Sequence, residues 1–152
     1  MLLVCSAGGH LAQLWSLRGA WADRERAWVV VPGHDGSDID ALLAGERVYA
    51  AHGPTARSLQ SLLRNTVLAW SLLRRLQPAI VITTGAAIAV PFAWLARLHG
   101  ARVVYVESLS RVERASLSCR LVGRSANRVY VQWPELERTL PRGRYVGTVI
   151  GP

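Results

Sequence analysis

The segment Ser6-Ala7-Gly8-Gly9-His10 lies between an apolar run, Met1 to Cys5, and a stretch with helical spacing. A strand that feeds a helix through such a turn leaves the first helical amides without intrahelical partners. Gly8 and Gly9 allow positive φ and let a ligand approach the main chain, and successive amides there form a nest that suits a phosphate. Ser6 opens this small-residue turn and counts with Gly8 and Gly9 among the phosphate-binding candidates. A neutral imidazole at a helix N-terminus is disfavoured as a cation, which keeps His10 available as a base; the simpler alternative is a local hydrogen bond at the helix start. The spacing is not GxGxxG, and no GK[ST] follows, so neither common nucleotide fingerprint is present.

Two further elements carry chemistry. In TTGAAIAVP, Gly85 separates a strand from an apolar helix, and two such turns at one sheet edge can hold one pyrophosphate between them; alternatively Gly85 only ends its strand. In VESLSRVERASL, Glu107, Ser108 and Arg111 follow another strand at the same edge, where the plain alternative is a solvated ion pair of small energetic weight. His34, His52 and His99 have no acidic or cysteine neighbours at ligand spacing, so neither a metal nor a cofactor is expected.

The elements that must position these residues alternate along the chain. Apolar or β-branched runs occur at 1–5, 27–31, 47–50, 79–83, 102–106 and 128–132, mostly separated by longer segments of helical period. Continuous apolar strands alternating with helices predict an α/β domain with a doubly wound, mainly parallel, Rossmann-like sheet covered on both faces. Leu11, Leu14, Trp15 and Leu17 trace one helical face, and Leu59, Leu62, Leu63, Thr66, Val67, Trp70 and Leu73 trace another before Pro78. The segment 32–40 reads as an exposed loop.

The 152 residues are 51% hydrophobic and 18% charged, which suits one domain with a proper core. The formal net charge is +8, and all 18 basic side chains are arginines. Arginine favours planar, bidentate contact with phosphates, so an anionic partner is expected. A nucleic acid is not, because no basic stripe is interleaved with exposed aromatics. Cys5 and Cys119 are too far apart in sequence to read as a metal motif or a disulfide framework, which fits a reducing cytosol. No uncharged stretch reaches the length of a spanning helix, and the first apolar run lacks the basic leader of a signal peptide. The apolar runs 58–73 and 85–98 remain candidates for lying against a membrane.

Taken together, SAGGHLAQL, TTGAAIAVP, YVESLSRVERASLSCRL, and VYVQWPEL followed by YVG resemble the acceptor-side, Alg14-type subunit of two-part glycosyltransferases and its bacterial capsule and exopolysaccharide relatives. The two glycine turns resemble, more distantly, the first loops of the single-chain MurG-type transferases. The resemblance covers nearly the whole chain. It implies the N-terminal half of a GT-B enzyme: one Rossmann-like domain, 1–152, that holds a lipid-pyrophosphate-linked saccharide. A separate chain would bind the UDP-sugar, since this one ends near where single-chain relatives enter their donor domain.

By the same resemblance, Gly8, Gly9 and His10 match the first loop, Gly85 the second, Glu107, Ser108 and Arg111 the ES-x-x-R element, and Gln132 and Trp133 a QW pair at the site edge or partner contact. His10 or Glu107 would be the base, and the glycine turns with Arg111 would fix the acceptor phosphates. The implied place is the cytoplasmic face of the cell membrane, peripherally bound. Two departures stand out. Ala86, Ala87 and Ala89 replace further glycine and serine of the MurG-like pattern. The first strand also begins at Met1, where the eukaryotic subunit has a transmembrane anchor, so attachment is expected through a partner or an amphipathic surface with Trp15, Trp94, Arg64, Arg74 and Arg75. The rival reading is a non-catalytic scaffold that anchors and stimulates a self-sufficient transferase.

Overall fold

The computed structural model describes residues 1–33, 37–54 and 58–149. Its strands are β1 (Leu2–Ser6), β2 (Ala27–Val31), β3 (Val48–Ala50), β4 (Ile80–Thr83), β5 (Arg102–Val106), β6 (Arg128–Val131) and β7 (Gly143–Tyr145). The helices are α1 (Gly9–Ser16), α2 (Ser37–Leu42), α3 (Leu59–Leu76), α4 (Ala89–Leu98), α5 (Leu117–Gly123) and α6 (Pro134–Thr139), with a 3-10 turn at Arg18–Ala20. The strands form one fully parallel sheet in the order β3-β2-β1-β4-β5-β6-β7. The chain thus winds outward from β1 in one direction and, after α3, from β4 in the other. Val4 pairs with Val29 on one side and Thr83 on the other, so the turns after β1 and β4 lie side by side at the carboxyl edge. That is the topological switch point, where open α/β sheets bind ligands. The expected Rossmann-like class is the observed one.

Side chains along each strand alternate between two cores. Leu2, Val4, Val29, Val81 and Val103 pack with Leu73, Phe92, Ala93, Cys119 and Val122 under α3, α4 and α5. Leu3, Cys5, Trp28, Val30 and Ile82 pack with Leu11, Leu14, Trp21 and Leu43 on the opposite face. Cys5 and Cys119 are free and buried, and burial raises the pKa of both thiols. Trp15 joins Trp21 and Trp28 in an aromatic cluster with ring centroids 5.3–6.2 Å apart, so it serves core packing and not an outer surface.

Three features correct or extend the sequence reading. First, α2 begins at Ser37, inside the segment read as a loop, while His34 and its neighbours at 35 and 36 lie outside the described residues. Second, β7 escaped detection because Gly143-Arg144-Tyr145 has no apolar run; it is a short edge strand with Arg144 and Tyr145 exposed. Third, the apolar stripe of α3, within one of the two runs expected to be able to lie against a membrane, faces outward. Leu59, Leu63 and Val67 are 77%, 68% and 71% exposed, Leu62 and Trp70 are also exposed, and the buried side is Ser61, Asn65, Ala69, Leu72 and Leu73. The reason lies in tertiary hydrogen bonding: Asn65 accepts from the His52 amide and donates to the His52 carbonyl, both at 2.9 Å, and Ser58 caps the helix by accepting from the Ser61 amide. Small Ala69 then lets α3 approach α4 closely.

This orientation of α3 has a direct stability consequence. Asn65→Ala leaves two backbone groups unpaired and should cost about 1–3 kcal/mol in urea unfolding. Leu63→Ser, although it removes a leucine from a helix, should stay within about 0.5 kcal/mol of the parent.

Candidate functional site

His10 begins the second position of α1, directly beneath the β4–α4 turn. Gly8 serves as N-cap with φ +76°, no side chain caps the helix, and the first-turn amides have no intrahelical acceptor. The His10 Nδ1 lies 2.8 Å from the Thr84 carbonyl oxygen, and the Thr84 hydroxyl donates in return to the His10 carbonyl at 2.8 Å. A carbonyl only accepts, so Nδ1 carries the proton and Nε2 presents a lone pair. The His10 pKa lies below its usual 6.5, chiefly because burial penalises the imidazolium. The Thr84 carbonyl and Glu107 act in the opposite sense, and Arg111 adds to the depression. The ring is therefore neutral at pH 7, oriented, and partly open to solvent.

Glu107 sits differently. It is 1% exposed, and its carboxylate accepts from the Ser108 amide, the Ser116 amide and the Ser116 hydroxyl. The Tyr105 hydroxyl adjoins Ser116 at 3.2 Å. The carboxylate thus braces the loop from Ser108 to Ser116. Ser108 is tied into the same turn, with its hydroxyl 3.0 Å from that of Ser110, while the Arg111 side chain is exposed and has no ion-pair partner among the described residues. Ser6 ends β1 half-buried.

A buried amide pair locks these loops together. Gln13 Nε2 donates to the Gly9 carbonyl, and its Oε1 accepts from the Leu109 amide at 2.9 Å and from Gln132 Nε2 at 2.8 Å. Gln132 also donates to the Glu107 carbonyl and accepts from the Val149 amide. The Trp133 indole donates to the Leu109 carbonyl. The structure thus brings Gly8, Gly9, His10, Gly85 and Glu107 to one edge, and it seats Gln132 and Trp133 as braces beneath the loop that carries Ser108 and Arg111.

Comparison with known proteins adds a lineage to this geometry. A family model described as "Oligosaccharide biosynthesis protein Alg14 like" matches residues 41–149. The chain belongs to the Alg14-like family. It is 26% identical to the human "UDP-N-acetylglucosamine transferase subunit ALG14", over 99% of this chain and 82% of that protein. The subunit of that name from Eremothecium gossypii is 33% identical, over 86% of this chain and 62% of the relative. Among solved structures, Acinetobacter baumannii MurG superposes with a TM-score of 0.76 at 17% identity, and a UDP-GlcNAc 2-epimerase from Methanocaldococcus jannaschii with 0.75 at 12%. The chain is covered over 99% and 97% of its length but spans only 46% and 45% of those proteins. At these identities the likeness is one of fold.

In this Alg14-like chain the second turn carries a strained substitution. Gly85 has φ +108° and Ala86 φ +62°, a left-handed conformation that costs an alanine about 1 kcal/mol or more. Gly85 is held to glycine by space as well: a Cβ there would lie 2.7 Å from the Tyr105 hydroxyl oxygen and 3.4 Å from His10 Cε1. Sequence reading passed over Gln13, Thr84 and Ser116. Gln13 does stand four residues after Gly9, on the same helical face, but its partners arrive from 96 and 119 residues away.

The two residues of this turn should respond oppositely. Gly85→Ala should destabilise the fold by about 1–3 kcal/mol and displace the His10 ring, seen as a shifted imidazole Hε1 resonance. Ala86→Gly relieves the strained φ, offsetting the greater flexibility of the unfolded glycine, and should remain within about 1 kcal/mol of the parent.

Proposed function

We propose that this chain, a single acceptor-binding domain, is one half of an inverting two-chain glycosyltransferase. It would present a lipid-pyrophosphate-linked saccharide, in surface polysaccharide assembly, to a sugar nucleotide held by a partner chain. The observation that carries this reading is the free Nε2 of a neutral, oriented His10 between two glycine turns at the switch point. The relatives' naming as UDP-N-acetylglucosamine transferase subunits supports a partner and N-acetylglucosamine as the transferred sugar, another hexose being the alternative.

In this mechanism the α1 amides, Gly8, Gly9, Gly85 and Arg111 hold the acceptor phosphates, with Ser6 and Ser108 at the rim. His10 Nε2 takes the proton of the acceptor hydroxyl as its oxygen attacks C1 of the sugar and the nucleoside diphosphate departs from the opposite face. Of the two base candidates, the geometry favours His10. Glu107 is a positioning residue in this scheme, since its carboxylate is buried and already accepts three donors. Gln132 and Trp133 set the loop register.

The domain would lie on the inner leaflet through the outward face of α3 and the end of α4. Exposed Leu59, Leu63, Val67, Trp70, Trp94 and Leu98 are accompanied by exposed Arg64 and Arg74. From residue 47 to residue 106 the sequence has seven arginines and no acidic residue. An apolar face with a cationic border and no acidic groups suits an anionic bilayer surface. Among the described residues, no helix is long and apolar enough to cross a membrane.

In the reconstituted pair, His10→Ala should lower kcat by about 100-fold or more while the two chains still copurify; full turnover by that variant would move the base elsewhere. Because the folded-state pKa of His10 is depressed, its base form persists above 6.5 and is lost only as pH falls through the lower folded value. The acid limb of kcat/KM should therefore lie below pH 6.5 and vanish in a His10 variant.

For the membrane face, the protein should pellet with phosphatidylglycerol-containing vesicles more than with neutral ones. Leu63→Ser with Val67→Ser should abolish pelleting without unfolding the chain. Pelleting with neither vesicle would assign attachment to a protein partner instead, and equal pelleting with both would remove the arginines from the attachment.

A further inference from the structure

A cleft of about 940 Å³ opens beside the Glu107 loop, between that loop, α5 and α6. Four arginines line it, from three separate elements: Arg111 and Arg114 on the loop, Arg120 on α5, and Arg138 on α6. Glu113 and Glu135 line it too, so the four positive and two negative side chains leave a net charge of +2. None of these six side chains is ion-paired or hydrogen-bonded among the described residues. Four arginines that line one concave space, none of them ion-paired with the carboxylates beside them among the described residues, suit a phosphate-type oxyanion.

The walls are held in place without the arginines. Ser116 is bonded to Glu107, and the Thr139 hydroxyl donates to the Glu113 carbonyl at 3.2 Å, which joins α6 to the loop. The cleft therefore exists before any ligand arrives. Among the lining residues, Arg111 lies near enough to His10 to depress the imidazole's basicity. Leu117, which also lines the cleft, is 63% exposed, and one turn further along α5 the carbonyl of exposed Leu121 accepts the indole N–H of exposed Trp94. The cleft thus shares one residue with the surroundings of the base and another with an exposed apolar surface.

We infer that the Arg111–Arg114–Arg120–Arg138 cleft is a seat for a lipid-borne phosphate, a pyrophosphate or phosphodiester whose acyl or isoprenoid chain leaves over Leu117 and Trp94. That the phosphate arrives on a lipid rests on the proposed membrane role; that the cleft holds a phosphate does not. Two sources share this chemistry, the pyrophosphate of a lipid-linked acceptor and the head group of an anionic phospholipid.

The test is a titration of the full chain, following the arginine Nε–Hε signals by NMR in about 150 mM sodium chloride, where loose surface attraction is screened. The probes are inorganic pyrophosphate and, separately, monomeric dihexanoylphosphatidylglycerol. The Arg114, Arg120 and Arg138 signals should saturate with at least one probe, and Arg120→Gln with Arg138→Gln should weaken that binding about tenfold or more at an unchanged thermal midpoint. Saturation by pyrophosphate alone assigns the acceptor as the source, and saturation by the lipid alone assigns the head group. If neither probe saturates, or the double variant binds equally well, the inference fails; a response to a polyglutamate peptide alone would replace it with a protein partner. The readout involves no turnover, so saturable binding alongside an active His10→Ala pair would remove the base assignment and leave the phosphate seat standing.

Discussion

The candidate site depends on one reciprocal pair of hydrogen bonds. His10 donates from Nδ1 to the carbonyl of Thr84, and Thr84 donates from its hydroxyl to the carbonyl of His10. The two residues are 74 positions apart, and they meet only because β1 and β4 are neighbours in register at the point where the winding of the sheet reverses. The pair joins the two glycine turns, sets the tautomer, and turns Nε2 outward. Each part then constrains the others: the Thr84 carbonyl must point at the ring, so the chain after it turns sharply through Gly85 and Ala86 at positive φ, and Tyr105 and His10 close over Gly85 so tightly that no side chain fits.

Around this pair the fold uses buried polar groups where a simpler domain would use aliphatic ones. Gln13, Gln132, Glu107 and Asn65 are all buried, and no buried side-chain nitrogen or oxygen among the described residues lacks a partner. A satisfied network of this kind is directional, so it fixes where a loop lies as well as whether it is folded. Gln13 and Gln132 do this for the loop after β5: one amide oxygen receives Leu109, one amide nitrogen reaches the Glu107 carbonyl, and the other end of Gln132 receives Val149. A change at the last described residues is thereby mechanically connected to the loop that carries Arg111.

The parts that were legible in sequence are those whose environment is local or uniform. Strands of a parallel sheet covered on both faces read as continuous apolar runs, which is why β1, β2 and β4 stood out, and glycine turns ahead of helices point to the carboxyl edge. The edge strand β7 was invisible because three residues with two solvent-facing side chains have no such signature. The braces of the site were invisible for another reason. Gln13 and Ser116 have ordinary helical and capping positions, and their importance comes wholly from partners brought by the topology.

Helix α3 shows that periodicity reveals a stripe but not the direction it faces. The apolar stripe is real, but a stripe tells only that one side differs from the other, and the side facing the sheet was settled by Asn65 holding the backbone at His52 and by Ala69 fitting close to α4. Once the small and polar side is inward, the leucines and Trp70 must face out, where Arg74 stacks over Trp70 and the ring touches His99 beyond α4. An exposed apolar face of this extent brings no benefit to a chain that stays in water and raises its tendency to aggregate. Its place beside a run of arginines without acidic neighbours, on the helices that flank the candidate site, is what supports the proposed membrane role. The outward stripe of α3 is therefore the surface on which that proposal depends.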